Sequence, residues 1–282
     1  VAYTLFDLAY QVAGELGALV ESIATGGTLT TTLDSVRLQT TYEDDYFNLG
    51  TVFIVRDAAG LGAAPEKEFA RVTDFTSSSG TVTHAALTVA PAAGDRFAVT
   101  TRRFDLDTII RAINTALREI LVETIDVSLS TAANQLEYTL PTALLNTSEI
   151  KVYIQRVTND TDANEWQQVY DWYVEQAVAG TGKKLIFNNQ PDYISVLRIH
   201  YFLPHAPLYT STDKLHESVD INRVVLDAAL GLLKIREQDT GHADPETKTL
   251  IARMEQRKSR MEWRQRTVRT GPKLATWGDI DG

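Results

Sequence analysis

The chain has 282 residues, 44% of them hydrophobic and 23% charged, with a net charge of −10 and no cysteine. At roughly 100–200 residues per domain this is enough for one large or two modest domains, and the lack of cysteine excludes disulfides and thiolate metal sites within it. No run of about 18 apolar residues exists and the start carries no basic n-region or cleavage site, so neither a membrane span nor a secretory signal is expected. The matches to the glycosylation acceptor at Asn146-Thr147-Ser148 and Asn159-Asp160-Thr161 are therefore read as chance.

In chain order, Leu5, Leu8, Val12, Leu16, Leu19 and Ile23 fall on one stripe of a 3.6-residue helix, and Thr4 with Asp7 has capping-box spacing, which predicts a first helix over 4–23. Gly26-Gly27 breaks that pattern. Short β-branched or alternating runs follow at Thr28–Leu33, Thr51–Val55, Arg71–Phe75, Thr81–Thr83 and Asp95–Thr100, separated by turn signals such as Ser77-Ser78-Ser79-Gly80. Strands this short and this closely spaced predict a small barrel or sandwich. From Asp105 the apolar positions Leu106, Ile109, Ile110, Ile113, Ala116, Leu117, Ile120 and Leu121 predict a central helix reaching about Ile125, wide enough in its apolar face to be buried on more than one side.

A second β region is expected from Leu136 to Phe202, with runs at Leu136–Leu140, Ile150–Ile154, Trp166–Val169, Lys184–Phe187 and Ser195–Phe202, ended by Pro204 and Pro207. Ile221, Val224, Val225, Ala228, Ala229 and Leu232 mark a third helix capped by Ser218, and Asp244-Pro245 opens a fourth that runs to about Val268. Between Lys248 and Lys273 nine basic residues face two acidic ones, a local charge of +7 that leaves −17 for the rest of the chain. After Gly271-Pro272 no regular element is expected.

Taken together these readings give an α+β protein. A helical body over 1–25 and 104–270, with its second β region at about 127–205, carries an inserted β module at 26–103. A long carboxyl-terminal helix and an extended arm at 271–282 complete it. The plan resembles the head–tail connector, or adaptor, proteins in the neck of tailed bacteriophages, a likeness that covers most of the chain. It is carried by the central helix Ile109–Ile120, by the inserted module with Gly50-Thr51-Val52-Phe53 and Gly94-Asp95-Arg96-Phe97, and by the aromatic-rich middle from Val152-Tyr153-Ile154 to Trp166 and Trp172.

The resemblance implies a structural protein of the virion neck, assembled in the host cytoplasm, with no enzymatic activity and no cofactor. It implies a helical core ring of about twelve copies, docked under the portal protein and above a downstream tail or neck protein, with DNA passing through its channel unbound. The carboxyl-terminal arm would reach the portal, and Arg264, Arg266, Arg269, Pro272, Lys273, Leu274 and Trp277 combine charge with apolar anchors as a segment that orders on binding requires. An acidic bore suits passage, because a basic one would hold phosphates through counterion release; Glu43-Asp44-Asp45 is one acidic cluster. The alternatives are another ring-forming tail or neck protein, a carbohydrate-binding virion module built on Tyr153, Trp166, Tyr170, Trp172, Tyr193, Tyr201 and Phe202, or a basic fourth helix that grips nucleic acid.

Several motifs fail on their own chemistry. His216-Glu217-Ser218-Val219-Asp220 approaches the helical zinc pattern but offers Asp220 as second ligand and no third. Gly180-Thr181-Gly182-Lys183-Lys184 has Ala177 where a phosphate loop needs its first glycine, and Gly60-Leu61-Gly62-Ala63-Ala64-Pro65 fails the dinucleotide fingerprint in its last position. Asp160-Thr161-Asp162-Ala163-Asn164 starts like a calcium loop but places Glu165 at the required glycine. The other histidines, His84, His200, His205 and His242, show no ligand spacing, and no nucleophile motif is present.

Overall fold

The structure, a computed structural model, describes residues 2–132, 134–141, 150–155, 166–176, 182–189, 196–240 and 245–269, with the backbone alone for 155, 176, 238–240 and 262–269. The chain divides into two compact units, one formed by 1–118 with 206–282 and the other by 119–205. The expected helical connector body is overturned. Among the described residues the architecture is mostly β, with fourteen strands in three antiparallel sheets of seven, four and three strands against four α-helices.

Two predicted helices end early, and both times the remainder becomes strand. Helix α1 spans Leu5–Glu15, opened by the expected box in which Thr4 caps the Asp7 N–H and Asp7 accepts from the Thr4 N–H. It stops because Gly17 takes φ +64°, with Gly17 N–H on the Gly14 carbonyl and Ala18 N–H on the Ala13 carbonyl, a Schellman closure. Leu19 and Ile23 therefore leave the stripe, and Val20–Ile23 is strand β1. Helix α2 spans Leu106–Arg118, with Asp105 accepting from the Thr108 N–H at its start. Leu121–Asp126 beyond it is a strand, favoured by β-branched Val122, Thr124 and Ile125.

In the first unit, β1, β2 (Gly26–Thr28), β3 (Thr31–Leu33), β4 (Thr51–Arg56), β5 (Phe69–Thr76), β6 (Thr81–His84) and β7 (Arg96–Val99) form the seven-stranded sheet, in the order β1-β7-β4-β5-β6-β3-β2. Its two end strands are consecutive in the chain. Between them the Ala24 N–H bonds to the Asp95 carbonyl on the β7 side and the Thr25 N–H to the Leu33 carbonyl on the β3 side, so one continuous segment closes the sheet on itself. The result is a small barrel without a free edge. Its interior holds Val52, Ile54, Val72, Phe75, Val82, Phe97 and Val99, with Leu38 and Phe47 from the loop before β4.

Because side chains alternate along a strand, Phe53 points the other way from Val52 and Ile54. It is buried all the same, since Phe6 and Tyr10 of α1 cover it with ring centroids at 5.8 and 5.9 Å and Phe69 flanks Phe6 at 6.4 Å. Helix α1 is thus the lid of the barrel's outer face and packs in turn on α2 and α3 (Ile221–Thr240). Its exposed N–H groups at Leu5 and Phe6 are taken by the Asp213 and Ser211 carbonyls at 2.8 and 3.2 Å. Helix α3 is capped by Asp220, which accepts from the Asn222 N–H, in place of the expected Ser218. Helix α4 (Pro245–Arg269) starts at the expected proline and packs along α3 through Ile251 and Met254.

In the second unit, β8 (Leu121–Asp126), β10 (Ile150–Gln155), β11 (Trp166–Val169) and β14 (Leu197–Pro204) form a sheet in the order β11-β10-β14-β8. Strands β9 (Glu137–Thr139), β12 (Trp172–Gln176) and β13 (Lys183–Phe187) form the three-stranded sheet, ordered β12-β13-β9. One core draws on both sheets: Tyr138, Leu185 and Phe187 meet Val152, Leu197 and Ile199. This is a small sandwich. Its two ends meet, since Leu121 pairs with Pro204 and the His205 N–H bonds to the Ile120 carbonyl at 3.0 Å.

Candidate functional site

The residues expected to bind the portal divide between helix and tail. Arg264, Arg266 and Arg269 lie on the last turns of α4, while Pro272, Lys273, Leu274 and Trp277, with the arm at 271–282, lie outside the described residues. Part of the basic charge of α4 is spent inside the unit. Arg257 reaches Glu15 of α1 at 2.6 Å and Lys258 reaches Asp227 of α3 at 2.8 Å, which argues against α4 as a nucleic-acid grip. The acidic cluster is also partly engaged: Asp44 accepts from the Ser77 N–H at 2.6 Å and Asp45 from the Asn48 amide at 2.6 Å.

Of the motifs set aside, His216 bonds to Ser218 at 2.8 Å while Asp220 caps α3, so their side chains serve the turn before the helix. The calcium-like stretch, together with His242, Tyr193 and residues 177–181, lies outside the described residues. Gly60–Pro65 forms a loop, as expected. Among the described residues no group of three His, Asp or Glu side chains is placed to hold a metal ion, and no described helix is long and apolar enough to cross a membrane.

Two surfaces of the first unit stand out, one unseen in the sequence and one met there only as a loop. The first is a groove of about 560 Å³ between α1, the start of β1 and α4. Gly14, Leu19, Leu250 and Met254 give it an apolar floor, and Glu15, Glu21, Arg253 and Arg257 rim it with two charges of each sign. Tyr10 stands at its edge with its hydroxyl on Glu21; burial first, and then that carboxylate, push the phenol up to about 12, so it is a neutral donor at any working pH.

The second is an uncharged tip at the far end of β1. Residues 58–65 read Ala-Ala-Gly-Leu-Gly-Ala-Ala-Pro, and Leu61 at its apex is 80% exposed. The loop is held from below by three carboxylates, of which Asp57 and Asp95 are buried. Asp95 accepts from the Ala58 N–H at 2.8 Å, Asp57 from the Ala59 N–H at 2.6 Å, and Glu66 from the Asp57 N–H at 3.2 Å. Gly60 and Gly62 take φ +157° and +80°, the latter a conformation that other residues avoid. The charge-free run was visible in the sequence; that its base is pinned was not.

The second unit presents a different surface. On the outer face of its four-stranded sheet, Glu123 and Ile125 of β8, Arg198, His200 and Phe202 of β14, and Tyr153 of β10 lie side by side in register. Glu123 pairs with His200 at 2.8 Å, the Tyr153 ring leans on His200 at 4.7 Å, and Arg198 covers Trp166 at 4.8 Å. A carbohydrate platform requires several exposed coplanar rings. Here Tyr201 is buried in the core, Trp166 is covered by Arg198, and Tyr170 stands alone at 79% exposure. The platform is not formed among the described rings.

No protein-family model matches the chain, and no curated protein matches it either.

Proposed function

We propose that the protein is a structural virion protein whose copies form a ring joining portal to tail and continuing the DNA channel. The observation that carries this reading is apolar surface left open on both units: the pinned tip around Leu61 in the first, and Leu121, Ile125 and Tyr170 in the second. Single exposed apolar side chains are ordinary, but here Leu61 is joined by exposed Ala58, Ala59 and Ala64, and contiguous apolar surface marks contact with other chains. The charge division supports the same reading. An acidic body repels DNA phosphates along a channel, while α4 keeps more basic than acidic residues even with Arg257 and Lys258 engaged, which suits an acidic protein surface. The ring is not the helical one the resemblance implied; the chain brings a barrel and a sandwich to it.

Purified protein is expected to assemble into rings on the portal of the same virion, seen by mass measurement and negative-stain microscopy. Deleting the residues after Thr270 leaves circular dichroism and thermal unfolding unchanged and removes portal binding. A truncated chain that binds the portal as well as the full one, or a full chain that never binds it, would refute the assignment.

A further inference from the structure

We propose, resting on the ring reading above, that the tip carrying Leu61 of one copy seats in the α1–α4 groove of the next copy. The tip matches the apolar part of a groove whose rim is polar. The groove offers Gly14, Leu19, Leu250 and Met254 as a floor, with room at about 560 Å³ for a leucine and its small neighbours. The tip brings Leu61 between two glycines and four alanines, so its side chains are all apolar and only its backbone needs hydrogen-bond partners, which the polar rim can supply.

Charge selects the same pairing. A chain of net charge −10 repels its copies over most of its surface. Here an uncharged tip meets a rim of Glu15, Glu21, Arg253 and Arg257 that sums to zero, with Arg257 and Glu15 already paired, so contact adds no net repulsion. The carboxylates of Asp57 and Asp95 fix the loop beforehand, which limits the entropy lost on docking.

Position decides the symmetry. Leu19 and Glu21 line the groove at the start of β1, while Ala24 at its end bonds the Asp95 and Gly94 segment that holds Ala58. Tip and groove therefore lie at opposite ends of one strand, and a copy does not fill its own groove. A contact between two different patches is head-to-tail, and repetition closes it into a ring when the rotation allows.

The absence of cysteine makes the test clean. A Leu61→Cys, Leu250→Cys double variant is oxidised at high protein concentration and run on a non-reducing gel, with both single variants beside it. The expected result is a ladder of dimers, trimers and higher species in the double variant only. Leu61→Asp, at an exposed position that leaves the thermal midpoint unchanged, is expected to weaken self-association at least tenfold by sedimentation. If the parent forms rings on the portal but the double variant gives no ladder, this contact is wrong and the ring reading stands. If the Leu61→Cys single variant dimerises as readily as the double, the contact is tip to tip and the proposal falls. A parent that stays monomeric with and without the portal sinks both.

Discussion

Asn114 shows how one polar side chain can fix a distant segment. It lies buried on α2, and its amide donates to the Leu208 carbonyl at 2.8 Å while its carbonyl accepts from the Leu208 N–H at 2.8 Å. Both backbone groups of Leu208 thus depend on one residue far away in sequence. Replacing it strands two buried polar groups, each worth on the order of 1–3 kcal/mol, so Asn114→Ala is expected to lose about 2–4 kcal/mol in urea unfolding. A loss below about 0.5 kcal/mol would show that water or a shifted backbone takes over. The residues that carried the likeness have equally local reasons. A side chain at Gly50 would strike the Thr100 carbonyl oxygen at 1.8 Å, and Gly94 takes φ +100° at the turn into β7. Neither tolerates another residue without moving the strands it joins.

At the scale of elements, His84 ties two barrel strands together and makes the barrel sensitive to acid. Its Nδ1–H donates to the Ala85 carbonyl at 2.8 Å, and its Nε2 accepts from the Thr32 hydroxyl on β3 at 3.0 Å. Burial holds its pKa below the ordinary value of 6.5, against a smaller upward pull from the Ala85 carbonyl. As pH falls below 6.5 the unfolded chain takes up this proton before the folded one does, so stability is complete above that pH and declines toward the lowered folded value. The thermal midpoint is expected to fall between about pH 7 and about pH 5, and to fall less in His84→Gln; equal slopes would remove His84 as the cause.

Most elements were legible because their signals are local. The capping box at Thr4, the proline that opens α4, and Thr51–Val55, found within β4, are written within a few residues. What misled was periodicity that continues by chance. Leu19 and Ile23 keep helical spacing beyond Gly17, and Ile120 and Leu121 keep it beyond Arg118, while the partners that make strands of these segments, β7 and β14, lie far along the chain. The Gly17 stop was readable; the distant pairing was not. The groove was beyond sequence altogether, since α1 and α4 lie about 230 residues apart and are brought together by packing on α3 and by the Glu15–Arg257 pair.

At the scale of the whole molecule, the second unit is an insertion between α2 and the segment leading to α3. Its ends are joined by the Leu121–Pro204 pairing and the Ile120–His205 hydrogen bond, and its core is its own. Units with adjacent ends and separate cores tolerate excision. Residues 119–205 made alone are expected to give a cooperative β-type melt by circular dichroism, and a chain in which a short Gly-Ser linker joins Arg118 to Ala206 to keep its helices and its melt. A non-cooperative melt in either piece would show that the two units fold as one.

The backbone donors at the head of α1 have a bearing on how the polypeptide is made. Leu5 and Phe6 are completed by carbonyls at Asp213 and Ser211, roughly two hundred residues downstream, and α3 lies further still. During translation the barrel strands leave the ribosome long before the helix that covers Phe53 can be anchored. The nascent chain therefore holds α1 over Phe53 by ring contacts alone until its last third emerges, and that interval is when a chaperone has the most to shield.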